Sequence, residues 1–266
     1  MKDFVLELAS RHADYNSKLN IMREYLQAYI LRIMHDEGVF RSTAFLGGTA
    51  LRFLHGLPRF SEGMDFSAAQ KNGIDFVAML KKVKQELSLA GYDVSVTYNE
   101  KKTVQSASVK FAGLLFEAGI SPMKSQKFSV KVEIDTNPPA GAVLETAVVN
   151  KYFPIAFLSY DIPSLFAGKL HALLSREYVK GRDYFDLGWY LSRWKNISPN
   201  IDFLCEALKQ TKWKGPLPTG SSWRPMAHTV VASADWKKIT EDVAAFLENP
   251  SDAAVFTKAN VLGLLA

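Results

Sequence analysis

A short apolar run, Thr43 to Leu46, leads into Gly47-Gly48-Thr49 and then a helix-forming stretch, Thr49 to Leu54. Strand, glycine bend, helix suits phosphate, because glycine lets the backbone come close and a helix start offers unpaired N–H groups at a positive dipole end. The same bend also has a plain steric use. A second strand, Phe60 to Phe66, tips the balance toward chemistry. Side chains alternate along it, so positions 63 and 65 share one face, with Glu62 and Met64 on the other. Two acids so spaced, with a third from a neighbouring strand, would hold a pair of Mg²⁺ ions on nucleotide phosphates. Asp65 fills the second place, and Glu133, on the polar face of the alternating stretch Phe128 to Asp135, fills the third. The first place holds Gly63, so one ligand of the set is missing.

A second group lies in the carboxyl-terminal half. Lys169, Ala172 and Arg176 fall at i, i+3 and i+7 of a helical stretch, a stripe of two cations around a small residue that suits contact with a triphosphate. Asp183, Asp186 and Tyr190 share a face of the next helix. An Arg182–Asp186 salt bridge with Lys169 left to solvent is the alternative use of these residues. His55, His171 and His228 lack metal-ligand spacing and suit capping or core roles. Trp213, Trp223 and Trp236, interleaved with Lys212, Lys214 and Arg224, have the makings of a stacking surface for a single-stranded end, although core packing suits Trp236 better.

The run Gly47-Gly48-Thr49-Ala50-Leu51-Arg52, followed by Arg59-Phe60-Ser61-Glu62-Gly63-Met64-Asp65-Phe66, resembles the signature of the AbiEii/AbiGii toxin nucleotidyltransferases, in the DNA polymerase β superfamily. Lys169 to Arg176 and Arg182-Asp183 to Asp186-Leu187 are similar to its later motifs. The family usually reads Ser-x-Asp-x-Asp-Phe at the second element, so Gly63 stands where its first aspartate would be. The resemblance covers roughly residues 15 to 195, and residues 195 to 266 carry no readable motif. It implies a nucleotidyltransferase toxin that uses Mg²⁺ and a nucleoside triphosphate (NTP), is opposed by a cognate antitoxin, and acts on RNA, with the 3′ end of tRNA the first choice of acceptor. Asp65, Glu133, Lys169 and Asp186 would be catalytic. Asp65 and Glu133 would hold metal, beside the lost ligand position Gly63. Gly47, Gly48, Thr49, Arg52, Lys169, Arg176 and Asp183 would bind the nucleotide, and Arg59 would assist or orient the loop. Gly63 is either natural, leaving an inert nucleic-acid- or protein-binding member of the fold, or a cloning change that silences a toxin; either way this copy is expected to be impaired.

The elements around these residues read as an α+β chain. An amphipathic helix, Ser17 to His35, braces the first motif. A lysine-rich helix, Ile74 to Ala90, ends at Gly91, and strands are expected over Tyr92 to Tyr98, Ser106 to Phe116 and Phe128 to Asp135. Beyond Asn137-Pro138-Pro139 and Pro154 the pattern is helical: Ile162 to Arg176, Arg182 to Trp194, Ile201 to Thr211 and Ala234 to Leu247, with a loop over Gly215 to Arg224. The expected architecture is a nucleotidyltransferase-like mixed β-sheet with flanking helices over residues 1–160, followed by a helical domain over 161–266. Six lysines against one glutamate in residues 101–131, and a net charge of +5, are compatible with a polyanionic partner. No apolar run has the length of a membrane span, the amino terminus is broken by Asp3, Glu7 and Arg11, and the lone Cys205 builds neither a disulfide nor a cysteine metal site. A cytoplasmic protein with no membrane partner, and a buried Cys205, are the expectations.

Overall fold

Asp14 opens the first long helix by accepting a hydrogen bond from the Ser17 N–H, which satisfies one of the amides a helix start leaves unpaired. The structure is a computed structural model that describes residues 1–70 and 73–266. It divides into two compact units: Met1–Gly56 with Phe60–Asn137 and Thr146–Ser159, and Leu57–Arg59 with Pro138–Glu145 and Tyr160–Ala266.

In the first unit, α1 (Lys2–Ser10) and α2 (Tyr15–Asp36) precede β1 (Thr43–Leu46), α3 (Gly47–His55), β2 (Gly63–Ala68), α4 (Phe76–Leu89), β3 (Val94–Asn99), β4 (Val104–Phe111), the short α5 (Leu114–Glu117) and β5 (Phe128–Asp135). β6 (Leu144–Asn150) and β7 (Pro154–Tyr160) complete a mixed sheet of order β3-β4-β5-β2-β1-β7-β6. β1 runs antiparallel to β2 and parallel to β7, and β2 runs parallel to β5. Alternation decides which face is covered: Val130, Val132 and Ile134 of β5, Val109 and Phe111 of β4, and Met64 and Phe66 of β2 are buried in one core with Leu26 and Ile30 of α2 and Leu80, Val83 and Leu87 of α4. The residues between them, Glu133, Lys131, Ser108, Ser106, Asp65 and Gly63, share the other face, and each retains some exposure.

The second unit holds α6 (Ile162–Ser175), α7 (Gly181–Arg193), α8 (Ile201–Gln210), α9 (Trp223–Ser233), α10 (Trp236–Ala244), the short α11 (Asp252–Val255) and α12 (Lys258–Leu265). Asp161 caps α6 through the Ser164 N–H, with a proline in the first turn, where no N–H is missed. Phe166 of α6 stacks on Tyr190 of α7 and meets Trp223 of α9 edge-on.

Several sequence expectations need correction. The strand expected over Ser106 to Phe116 ends at Phe111, because Gly113 adopts φ +72° and opens α5. The stretch after Asn137 is not immediately helical: β6 and β7 come first, and β6 escaped detection because an edge strand with almost every residue exposed carries no buried alternation. Trp223 to Ser233 is helix, with Pro225 accommodated in the first turn, where the stretch to Arg224 was expected to be loop. Cys205 is half-buried and its thiol donates to the Pro218 carbonyl, rather than being a core residue.

Candidate functional site

The glycine bend and the second strand meet at Asp65. Asp65 is the register partner of Leu46 on β1 and of Glu133 on β5, so the two carboxylates leave neighbouring strands on the same face, roughly 5 Å apart at the backbone. Gly47 has φ +77°, and a Cβ built there would collide with Asp65 Oδ2 and come within 3.1 Å of its Cγ. Both the left-handed backbone and the space taken by the carboxylate therefore require glycine at 47. Leu46, the residue before this nine-residue helix, makes no side-chain capping bond, and the positive end of the helix dipole lies beside Asp65.

Thr49, expected to bind nucleotide, is fully buried, and its hydroxyl donates to the Gly63 carbonyl, fastening α3 to β2 at the position of the missing acid. Arg52 is also turned inward. Its Nε bonds Glu24, its guanidinium lies 4.1 Å from the centre of the Phe60 ring, and Glu24 further accepts from Lys151 Nζ at 2.9 Å and Tyr152 Oη at 3.0 Å. Glu24 is 2% exposed, a buried acid on a face of α2 that also buries Asn20 and Gln27.

Gly63 has backbone angles outside the left-handed region, and a Cβ built on it would lie 3.4 Å from both the Cβ and the carbonyl oxygen of Lys131, its register partner. A side chain can therefore start at 63 without moving backbone. Lys131 itself was missed as a site residue: its Nζ lies 2.8 Å from Glu133 Oε2. The two-residue spacing of Lys131 and Glu133 on an alternating strand was the available signal. Asp135, one further step along the same face, accepts from the Asn137 N–H, and burial raises its carboxyl above the usual 3.8.

Oxygen donors from Asp65 and Glu133 suit one hard divalent cation. They do not make the three-acid set that a pair of ions needs, and among the described residues no group of three or more His, Cys, Asp or Glu is placed to hold a metal. This chain thus fits a single Mg²⁺ and falls short of two.

The second set is an ion network inside the helical unit. Arg59 grips Asp186 with both ends of its fork, Nε to Oδ1 and Nη2 to Oδ2, each at 2.6 Å. Lys169 Nζ lies 2.7 Å from Asp186 Oδ2 and 3.5 Å from Asp183 Oδ1, and Arg176 Nη1 lies 3.0 Å from Asp183 Oδ2. Three cations meet two carboxylates, leaving one positive charge in excess. Full burial pushes the Asp186 carboxyl up, but the Arg59 and Lys169 charges outweigh it and hold it below 3.8. Arg59, not Arg182, is thus the partner of Asp186. Arg182 stacks instead on Phe246, 4.0 Å from the ring centre, near Asp242. Lys169 is 14% and Arg176 30% exposed at the side chain, so both keep an accessible edge. Trp223, by contrast, is buried against Phe166 and offers no stacking surface. His171 meets the Thr211 hydroxyl at 3.0 Å, and burial, then Arg176, lowers its pKa from 6.5.

Three comparisons bear on this geometry. The fold is similar to MenT4, the nucleotidyltransferase toxin Rv2826c from Mycobacterium tuberculosis H37Rv, with a TM-score of 0.64 at 15% identity over 100% of this chain and 88% of that one. It is also similar to JHP933 from Helicobacter pylori, with a TM-score of 0.51 at 19% identity over 91% of this chain and 88% of that one. A crystal structure of a putative nucleotidyltransferase from H. pylori is similar with a TM-score of 0.53 at 18% identity, covering 92% of each chain. No curated protein sequence matches the chain. The sequence model described as "Nucleotidyl transferase AbiEii toxin, Type IV TA system" matches residues 29–258. Carrying that signature over most of its length, on the fold those toxins share, the chain belongs to the AbiEii nucleotidyltransferase toxins of type IV toxin–antitoxin systems.

Proposed function

We propose that this protein is built to transfer a nucleotide from an NTP to an acceptor hydroxyl of RNA, with the 3′ end of tRNA as the first acceptor to test, and that Gly63 impairs it. The observation that carries the reading is the registered pair Asp65 and Glu133 on one sheet face, with Asp65 packed against the Gly47 bend at the start of α3. Asp65 and Glu133 are the residues that would hold Mg²⁺, which when bound supplies positive charge to the phosphates of the leaving group and the α-phosphoryl. The amides of Gly47 and Gly48 receive terminal phosphate oxygens. The acceptor oxygen bonds to the α-phosphorus as the bond to pyrophosphate breaks, and the Glu133 carboxylate takes the hydroxyl proton. Lys169 and Arg176 neutralise phosphate charge, with Asp183 and Asp186 orienting them. Thr49 and Arg52 support the bend from inside the unit. Within the cytoplasm a cognate antitoxin would restrain the toxin, and among the described residues no helix is long and apolar enough to cross a membrane.

Restoring the lost acid tests this. Gly63→Asp is expected to make expression toxic and to give Mg²⁺-dependent transfer of label from an α-labelled triphosphate to RNA, at least about a hundredfold above the Gly63 chain, the scale of losing one transition-state charge contact. A harmless and inert Gly63→Asp protein would contradict it.

The Lys131–Glu133 pair at 2.8 Å supports a second reading, a catalytically inert member that binds nucleic acid or protein. Titrating triphosphate and Mg²⁺ into Gly63→Asp separates the two, since a pure binding module has no need of nucleotide.

A further inference from the structure

The carboxylate pair is the end of a longer polar row. Through register, Asp65 and Glu133 continue into Ser106 of β4 and Asn99 of β3. The next row runs Gly63, Lys131, Ser108, Thr97, and the one beyond pairs Ser129 with Lys110 and Lys110 with Ser95. These side chains share one face, because register partners in a sheet point the same way. The opposite face of the same strands is packed with Val109, Phe111, Val130 and Val132, so the polarity belongs to one side and is not general to the strands.

Away from the acid end, where Asp135 lies one step beyond Glu133, the face carries short neutral hydrogen-bonding side chains and two lysines. Thr97, Asn99 and Lys131 are exposed, and Ser106 and Ser108 half-exposed. A shallow depression of about 410 Å³ lies along them. From Val94 to Lys131 the chain carries six lysines and two glutamates. Lys101 and Lys102 lie just past one end of β3, and Lys124 and Lys127 precede β5. Such a strip, with lysines beyond both ends and rich in small hydroxyl and amide groups, matches a single-stranded sugar–phosphate chain.

We infer that this face of β3, β4 and β5 is the acceptor platform: the 3′ strand of an RNA lies across the Asn99–Ser106 and Thr97–Ser108 rows, with its terminal hydroxyl delivered to Glu133. The inference rests on the transferase reading and adds where the acceptor binds and what reads it. Lys131 contacts the strand's phosphate, and in doing so leaves Glu133, so acceptor binding itself clears the carboxylate.

The test uses the full Gly63 chain without triphosphate or metal, so its outcome is separate from that of the Gly63→Asp transfer assay. The probe is an end-labelled RNA hairpin with a four-nucleotide single-stranded 3′ tail. The combined variant Thr97→Ala/Asn99→Ala/Ser106→Ala/Ser108→Ala is expected to weaken binding at least tenfold. Lys131→Gln, at a side chain 58% exposed and therefore neutral to folding, is expected to weaken it three- to tenfold and to lower the slope of log affinity against log salt by about 0.7. Unchanged affinity in both variants, an unchanged salt slope for Lys131→Gln, or no binding of the probe by the Gly63 chain would overturn the proposal. If the platform variants lose RNA while Gly63→Asp neither binds triphosphate nor transfers label, the binding surface stands and the transferase reading falls.

Discussion

Gly63 and Asp186 mark the two ways this chain handles charge. At Gly63 a face that the family usually furnishes with a carboxylate carries only backbone, and Lys131 sits across from it, paired with Glu133. At Asp186 the opposite holds: a fully buried acid is saturated by the Arg59 fork and Lys169. Burying ions is costly unless each is paired, and removing one partner strands the others, at about 3–5 kcal/mol. Asp186→Asn is therefore expected to lower unfolding stability by about 3–5 kcal/mol, read from the urea midpoint. The pH dependence has a definite sign. Because the folded carboxyl lies below its ordinary 3.8, the unfolded chain binds more protons in acid, so its contribution is complete above roughly pH 4–5 and is lost as pH falls below that. Asp186→Asn should flatten the acid limb of stability against pH; an unchanged limb would show that the network carries no net stabilisation.

Among the elements, α3 is the one whose placement decides the site. Its start is fixed by the φ of Gly47 and by contact with Asp65, and its first turn is tied to β2 by the Thr49 hydroxyl on the Gly63 carbonyl. Thr49→Val keeps the shape and removes the donor. It should cost about 1–2 kcal/mol in a urea titration, the worth of a buried hydrogen bond whose acceptor is left unmet. A variant of unchanged stability but weakened triphosphate affinity would instead return Thr49 to phosphate binding. The sequence made β1, the bend, α3 and β5 legible, because each has a strong period or a glycine with a mechanical reason. Element bounds shifted where the signal was diffuse: β2 starts at Gly63 rather than Phe60, and β6 and β7 were invisible beneath the prolines and an exposed edge.

Taken as a whole molecule, the α+β class, the mixed sheet and the toxin family were readable from the sequence, since two motifs more than a hundred residues apart agreed on one chemistry. What could not be read was pairing. Nothing in a linear string says that Arg59 rather than Arg182 reaches Asp186, or that Arg52 turns inward to Glu24, because each depends on how separate elements pack. The central claim, a metal pocket of two acids with room and backbone for a third, is tested most directly by titrating Mn²⁺ into the chain and following the free ion by electron paramagnetic resonance. Affinity of a carboxylate site rises with its ligand charge, so Gly63→Asp should bind Mn²⁺ at least about tenfold more tightly than the Gly63 chain, and Gly63→Asp/Asp65→Ala should lose that gain. Equal Mn²⁺ affinity in the Gly63 and Gly63→Asp proteins would contradict the account.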